Sequence, residues 1–331
     1  MTWLVTGGAG YIGGHVVRCL RGAGYQVVVL DDLSTGRPER LPDDVALVVG
    51  AVTDRSLITD VLRRHRIDGV VHLAARKSVS ESVARPDWYH RENVGGVVAL
   101  LDAMAGAGVS RLLFSSSAAV YGIPAAPRVD ESCRAAPINP YGLTKLLGEQ
   151  LIAAAGDGYP MSWLALRYFN VVGAAQPLLA DRVPANLAPA NLVPIALAAM
   201  TADRPVTVTG TDFPTRDGTG VRDYVHVQDL AAAHLAAVDR LMGRTPASSV
   251  YNVGTGRGYS VLEVLNRIGA VTGQPVRYEV GARRPGDPPE VVADVSRIRR
   301  ELGWQARYGL TEMIASTWLA WSELSGAVPA A

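Results

Sequence analysis

Short, wholly apolar runs alternate with longer amphipathic stretches over the first half of the chain. Continuous apolar runs are typical of strands that helices cover on both faces, whereas a spacing of three or four residues is typical of helices. Six apolar runs predict strands at 3–5, 27–30, 46–49, 70–73, 112–114 and 163–166. Helical patterns lie between them at 11–23, 54–66, 87–107 and 139–156. This alternation predicts an α/β protein built on a Rossmann-type, doubly wound parallel sheet.

A glycine-rich turn follows the first predicted strand and opens the first predicted helix. Residues 6–13 read TGGAGYIG, and their glycines fit a dinucleotide-binding fingerprint in the strand–turn–helix context that it requires. Glycine lets backbone N–H groups approach a pyrophosphate at the N-terminus of a helix. We therefore predict a dinucleotide site that includes Gly7, Gly10, Tyr11, Ile12 and Gly13.

An acidic pair ends the second predicted strand. Asp31 directly follows the apolar run, and Asp32 comes next. A carboxylate at this point can accept hydrogen bonds from the adenosine ribose and repels a 2′-phosphate. The pair therefore favours NAD over NADP as the cofactor.

A tyrosine and a lysine lie one turn apart in the helix predicted at 139–156. Tyr141 and Lys145 stand at i and i+4, so both side chains face the same way. A nearby ammonium group lowers the pKa of a phenol, ordinarily ~10, and makes it a better base. Ser117 ends a predicted parallel strand, where its hydroxyl can orient a substrate hydroxyl. We predict that these three residues form a catalytic trio for hydride chemistry at a carbinol carbon.

The alternation of apolar runs and helical patterns stops after residue 170. Loop-forming residues dominate 173–194 and 210–222, and a strand at 250–253 and a helix at 260–272 then resume the α/β pattern. We expect an NAD-binding Rossmann domain at 1–170, with later strands contributed from about 222–255. The remainder, 171–331, is expected to form mainly a smaller, interleaved substrate-binding lobe.

Composition excludes several other classes of protein. The 331 residues are 48% hydrophobic and 19% charged, and the net charge of +1 favours neither nucleic acid nor an anionic membrane. Cys19 and Cys133 make no disulfide framework or CxxC motif, and no metal-ligand spacing is present. No apolar run approaches the ~20 residues of a membrane span. We expect a cytoplasmic protein with no metal, no membrane and no nucleic-acid partner.

Seven stretches carry a family resemblance: TGGAGYIG (6–13), SSSAAVYG (115–122), NPYGLTK (139–145), LRYFNVVGA (166–174), NLVP (191–194), DGTGVRDYVHVQDL (217–230) and RRPGD (283–287). With them the chain resembles the extended short-chain dehydrogenases/reductases, and within that family the nucleotide-sugar 4-epimerases. The resemblance implies an isomerase that interconverts UDP-glucose and UDP-galactose through a transient 4-keto sugar. It implies tightly bound NAD that is regenerated in each cycle. It also implies a homodimer through a four-helix bundle made by helices 87–107 and 139–156.

The resemblance also implies roles for individual residues. Tyr141 would be the base and acid, Lys145 would bind the nicotinamide ribose, and Ser117 would bind the sugar 4-hydroxyl. Further cofactor contacts would be Leu73, Ala74, Lys77, Asn93, Ser115 and Tyr168. Further substrate contacts would be Asn170, Asn191, Leu192, Arg222, Arg284, Asp287 and Val291. The two arginines of the last set suit a diphosphate, because guanidinium groups bind phosphate oxygens in pairs.

Two positions bear on affinity and specificity. The family's Gly-Asp pair after the third strand reads Gly50-Ala51 here, which removes a hydrogen bond to adenine. Val291 stands where a bulky tyrosine goes with small sugars and where a small residue leaves room for a 2-acetamido group. The resemblance therefore implies that UDP-GlcNAc and UDP-GalNAc are tolerated as well.

Other functions stay open from the sequence. A 4-epimerase acting on a modified nucleotide sugar fits the same motifs. A sugar-nucleotide 4,6-dehydratase also shares them, but that family carries an Asp-Glu pair where this chain has Ala118 and Ala119. A non-enzymatic NAD-binding regulator would typically lack Tyr141 or Lys145, and both are present.

Overall fold

Short strands and longer helices alternate in the computed structural model, which describes residues 1–175, 191–243, 245–284 and 286–325. The strands are β1 (Thr2–Thr6), β2 (Gln26–Asp31), β3 (Ala46–Val49), β4 (Gly69–His72), β5 (Arg111–Ser117), β6 (Arg128–Val129), β7 (Ser162–Tyr168), β8 (Asn170–Val172), β9 (Val206–Thr209), β10 (Val221–His226), β11 (Ser248–Val253), β12 (Gly258–Ser260), β13 (Tyr278–Gly281) and β14 (Glu290–Ala293). The α-helices are α1 (Tyr11–Gly22), α2 (Arg55–Arg64), α3 (Val79–Ala84), α4 (Pro86–Tyr89), α5 (Gly95–Ala107), α6 (Pro140–Gly158), α7 (Leu192–Thr201), α8 (Val227–Leu241), α9 (Val261–Thr272), α10 (Ser296–Leu302) and α11 (Leu310–Ser325).

Seven of the strands form one parallel sheet, which confirms the predicted fold class. Their order is β11-β7-β5-β4-β1-β2-β3, and each neighbouring pair runs parallel. The direction of winding reverses between β1 and β4, so the loops after these strands diverge and leave a crevice at their carboxyl ends. This crevice is where a doubly wound sheet binds its ligand.

Helices cover both faces of the large sheet because side chains alternate along each strand. In β1, Val5 packs in the cluster that contains Val16 of α1 and Leu230 of α8. Its neighbour Leu4 packs in the opposite cluster, with Leu100 of α5. Burial on both faces explains why the strands read as continuous apolar runs.

A second sheet lies in the later part of the chain. Its order is β12-β10-β14-β6, and β8 also pairs with β10; β9 and β13 form a separate pair. The early strand β6 pairs with the late strand β14, and the late strand β11 joins the large sheet. The division at residue 170 into two lobes remains a prediction, and 176–190 and 326–331 of the predicted second lobe lie outside the described residues.

Within the described ranges, no helix has the length and apolar character needed to cross a membrane. The same part of the chain contains no group of three or more His, Cys, Asp or Glu side chains arranged to hold a metal ion.

Candidate active site

A cleft of about 540 Å³ opens at the carboxyl ends of β1 to β4. Its walls come from the ends of these four strands and the segments that follow them, together with residues of α3, α4, the turn after α4, α6 and β7. Thirteen of the predicted cofactor residues line it: Gly7, Gly10, Tyr11, Ile12, Gly13, Asp31, Asp32, Leu73, Ala74, Lys77, Tyr141, Lys145 and Tyr168. The structure thus brings the glycine turn, the acidic pair and the tyrosine–lysine pair to one cavity.

The glycine turn is packed too tightly for side chains at its key positions. Gly7 has φ +70°, a left-handed conformation that favours glycine, and its N–H donates to the carbonyl of Leu30 (2.8 Å). A Cβ on Gly13 would lie 2.1 Å from the Gly7 carbonyl oxygen. Gly7, Gly10 and Gly13 also line the cleft, so no side chain keeps a pyrophosphate from the backbone at the start of α1.

The two aspartates at the end of β2 differ in their surroundings. Asp31 accepts hydrogen bonds from the N–H groups of Ala9 (3.0 Å) and Leu33 (2.9 Å), so it shapes the loop as well as lining the cleft. Burial raises the pKa of Asp31 above its usual value. For Asp32, burial also raises the pKa, but hydrogen bonds from Ser34 and the charge of Arg76 outweigh burial and hold the pKa below its usual value.

Local sequence places Tyr141 and Lys145 at the start of α6. The Asn139 side chain caps the helix by accepting from the Gly142 N–H (2.8 Å), and Pro140 occupies the first position, where its missing N–H costs nothing. Both Tyr141 and Lys145 are buried against the end of β5. The ammonium group of Lys145 donates to the carbonyl oxygen of Ser115 (2.8 Å). Ser117 follows on the same strand and, against the larger effect of burial, its hydroxyl lowers the pKa of Tyr141.

Electrostatics bring the titration of the lysine close to neutral pH. Burial lowers the pKa of Lys145 to about 8, while the carboxylate of Glu149 acts in the opposite direction. The ammonium form therefore prevails at pH 7 and is lost as the pH rises through about 8. Burial raises the pKa of Tyr141, and the Ser117 hydroxyl opposes that rise. A positive charge close to the phenol is thus needed for Tyr141 to lose its proton.

Two predicted cofactor residues, Asn93 and Ser115, stand behind the wall of the cleft. The Asn93 side chain accepts from the N–H of Arg76 (2.8 Å) and donates to the carbonyl of Arg76 (3.0 Å) and to Thr144 Oγ1 (3.0 Å). Ser115 is fully buried, and its hydroxyl pairs with His234 Nε2 (3.1 Å). Their contacts support the cleft-lining residues Arg76 and Lys145.

Three of the predicted substrate residues, Asn170, Arg222 and Val291, lie on strands of the second sheet. The guanidinium of Arg222 in β10 forms an ion pair with Asp287 (2.7 Å), and Val291 of β14 stands beside Arg222 in the strand register. Asn170 of β8 pairs with Tyr224, also in β10. Elsewhere, Leu192 begins α7 and Asn191 directly precedes it, and Arg284 lies exposed between β13 and β14.

Several residues that line the cleft were missed by the sequence analysis: Ser34, Thr35, Arg40, Val52, Thr53, Arg76, Trp88 and Glu92. Arg76 directly precedes the predicted cofactor residue Lys77, and that adjacency was the one signal that could have pointed to it. The others follow strand ends or lie on helix turns, where nothing in the local pattern separates a ligand-facing side chain from a solvated one.

Residues 3–254 match the NAD dependent epimerase/dehydratase family. This match covers most of the chain, so the protein belongs to that family. The glycine turn and the tyrosine–lysine pair, which line one cleft, agree with this assignment. The predicted resemblance to the extended short-chain dehydrogenases/reductases is thereby confirmed.

Full-length similarity is to epimerases within this family. The UDP-glucose 4-epimerase of Azospirillum brasilense is 43% identical over 320 residues, which cover 96% of this chain and 91% of that protein. The crystal structure of UDP-glucose-4-epimerase from Stenotrophomonas maltophila with bound NAD and formylated UDP-arabinopyranose has a TM-score of 0.94 and 42% identity, covering 99% of this chain and 100% of that chain. The UDP-Glc/GlcNAc 4-epimerase of Campylobacter jejuni has a TM-score of 0.85 and 35% identity, covering 97% and 99%.

Proposed function

We propose that this protein is an isomerase, an NAD-dependent nucleotide-sugar 4-epimerase that interconverts UDP-glucose and UDP-galactose. The observation that carries the proposal is the meeting of Tyr141, Lys145 and the glycine turn in one cleft, in a chain similar over its whole length to UDP-glucose 4-epimerases. The tyrosine can move a proton at a sugar hydroxyl while the adjoining dinucleotide site holds the redox partner.

The cleft fits NAD on structural grounds. Gly7, Gly10 and Gly13 line it without side chains, and the acidic pair Asp31 and Asp32 lines it at the end of β2, in the place that suits an adenosine ribose. When bound, NAD supplies the acceptor and the donor of the C4 hydride. The protein's part is to hold the dinucleotide and to move the hydroxyl proton.

Proton movement falls to the trio at the end of β5. The Tyr141 phenolate takes the proton of the sugar 4-hydroxyl, and the Ser117 hydroxyl orients that group. The Lys145 ammonium stabilises the phenolate, and the carbonyl oxygen of Ser115 holds the ammonium in place. In the return direction, Tyr141 gives the proton back to O4. Tyr141 therefore acts as base and then as acid within one cycle.

Inversion at C4 requires the transient 4-keto sugar to present both faces to the same site. We propose that the nucleotide diphosphate is the fixed anchor, held by Arg222 and Arg284, while the sugar is free to turn. Arg222 is oriented by its ion pair with Asp287. Guanidinium groups are suited to this task because they bind phosphate oxygens in a fixed geometry.

The proposal is tested by incubating the purified protein with UDP-galactose without added cofactor and following C4 by NMR. Conversion to UDP-glucose without net NADH would support 4-epimerisation with retained NAD. A lack of conversion even after NAD is added would contradict it.

We further propose that Val291 admits 2-acetamido sugars. Val291 is 6% exposed and packs in the cluster with Tyr121 and Phe169, next to Arg222 in the strand register. In Val291→Tyr the tyrosine ring would occupy the room that valine leaves for the 2-acetamido group. We therefore expect turnover of UDP-GalNAc to fall at least about tenfold relative to that of UDP-galactose. The ratio of the two kcat/KM values is the measurement, and Val291→Ile is the control with little added bulk. An unchanged ratio in Val291→Tyr would contradict the role.

We propose that the protein forms a homodimer through α5 and α6. α5 is apolar around most of its circumference, and Val98 on α5 and Leu143 on α6 are exposed (43% and 38%). Light scattering is expected to give twice the chain mass of 35.0 kDa. Val98→Asp is expected to shift the protein toward monomer, whereas Val83→Asp, on the exposed face of α3, is the control that leaves the mass unchanged. A wild-type protein of 35.0 kDa would rule out this assembly.

We also propose a cytoplasmic location. Cys19 and Cys133 are both free thiols in the structure. Unpaired thiols are typical of a reducing compartment.

A further inference from the structure

Arg76 crosses the rim of the cleft between two loops. It lies in the segment after β4, and its guanidinium forms ion pairs with Asp32 after β2 (2.8 Å) and with Glu92 (3.2 Å). It also donates to the hydroxyl of Ser34 and lies over the ring of Trp88, 4.8 Å from the centroid. All five of these residues line the cleft. One side chain therefore ties the loop after β2 to the segment after β4.

The backbone of Arg76 is held in place by the side chain of Asn93, which does not line the cleft. The side chain of Asn93 accepts from its N–H and donates to its carbonyl, so both backbone polar groups are held by one buried amide. The Arg76 side chain is 19% exposed, and its partners Asp32 and Glu92 are 35% and 24% exposed. Partial burial and two carboxylates on one guanidinium make this a stronger connection than an isolated surface ion pair.

We propose that Arg76 retains the dinucleotide by closing the adenosine end of the cleft. This rests on the proposed function, because it takes NAD as the occupant. The loop that Arg76 holds carries Asp32 and begins directly after Asp31, the last residue of β2, and the two carboxylates stand in the ribose-binding place. Release of the adenosine half requires this loop and the segment after β4 to separate, and Arg76 opposes that separation.

Ala51 explains why this chain would need Arg76 to retain the dinucleotide. Ala51 lines the same cleft after β3, and its methyl group offers no hydrogen bond to an adenine. An epimerase that regenerates its cofactor in each cycle gains from slow release. Arg76 supplies retention from the opposite side of the adenosine end, through contacts between loops.

The test measures cofactor release. Wild-type protein and variants are loaded with NAD and freed of unbound NAD by gel filtration, and the NAD remaining per chain is followed over time. Arg76→Ala is expected to lose NAD about tenfold faster, because it removes two ion pairs and a cation–π contact. Arg76→Lys keeps the charge but loses the second guanidinium nitrogen, which donates to Ser34, and the planar group over Trp88. Its NAD release rate is expected to fall between those of the wild type and Arg76→Ala.

Arg85→Ala is the matched control. Arg85 also lies over the ring of Trp88 (3.9 Å from the centroid) and pairs with Glu81 (3.7 Å), but it is not among the residues that line the cleft. Its NAD release rate is expected to equal that of the wild type. Equal release from Arg76→Ala and wild type would overturn the role of Arg76 while leaving the proposed function intact. A wild-type protein that takes up no NAD would instead overturn the proposed function, so the two failures are distinguishable.

Discussion

Tyr141→Phe is expected to lower kcat for UDP-galactose by roughly 10²–10⁴-fold. The substitution removes one oxygen, which is the atom that takes the proton from the sugar 4-hydroxyl. The ring is buried at the start of α6, so phenylalanine fills the same space and the helix cap at Asn139 is untouched. The loss is therefore expected in kcat, with the bound NAD content unchanged.

Tyr159→Phe is the control for this substitution. Tyr159 follows the last residue of the same helix, α6, and packs on the core far along the helix from the cleft. It removes the same atom without touching the proposed chemistry, and we expect wild-type kcat. If Tyr141→Phe retained more than about a tenth of the wild-type kcat, another residue would have to move the proton.

Gly13→Ala is expected to abolish NAD retention and to destabilise the protein by about 1–3 kcal/mol. Its Cβ would lie 2.1 Å from the Gly7 carbonyl oxygen and 2.7 Å from Gly8 Cα. Both atoms belong to the backbone, so no side-chain rotation can make room. The turn must open, and the N–H groups proposed to face the pyrophosphate then move. NAD content and the midpoint of thermal unfolding measure the two effects.

Gly22→Ala tests whether these effects are specific. Gly22 ends the same helix, α1, and nothing lies within 4 Å of its ideal Cβ position. Alanine is favoured over glycine in helices, so this variant is expected to keep its NAD and to be at least as stable as the wild type. A Gly13→Ala protein that matched Gly22→Ala in both measurements would contradict the packed turn.

The large sheet could be predicted from the sequence because burial on both faces leaves a direct trace. The run predicted at 27–30 is the centre of β2 (Gln26–Asp31), and the run at 163–166 lies within β7 (Ser162–Tyr168). The glycine turn was equally visible, because close backbone packing excludes every other residue type at Gly13. A single sequence reveals features that depend on the local backbone conformation and on residues close by in the chain.

Features that depend on distant partners were not visible. The helix predicted at 87–107 is divided into α4, a π-helical turn at His90–Val94, and α5. The apolar spacing of the segment does not reveal this turn, which carries Asn93 behind Arg76. Arg76 pairs with Asp32 across 44 positions of sequence. With 32 lysines and arginines and 31 acidic residues in the chain, the spacing of charges does not identify which of them meet.

Epimerisation of UDP-galactose in D₂O, with the hydrogen at C4 of the product read by NMR, is the decisive test of the proposed 4-epimerase. Hydride transfer within a closed site never exposes the C4 hydrogen to solvent, whereas the O4 proton on Tyr141 exchanges freely. We expect UDP-glucose with protium at C4 and no deuterium at any ring carbon. Deuterium at C4, or a product that has lost its 6-hydroxyl, would contradict this proposal.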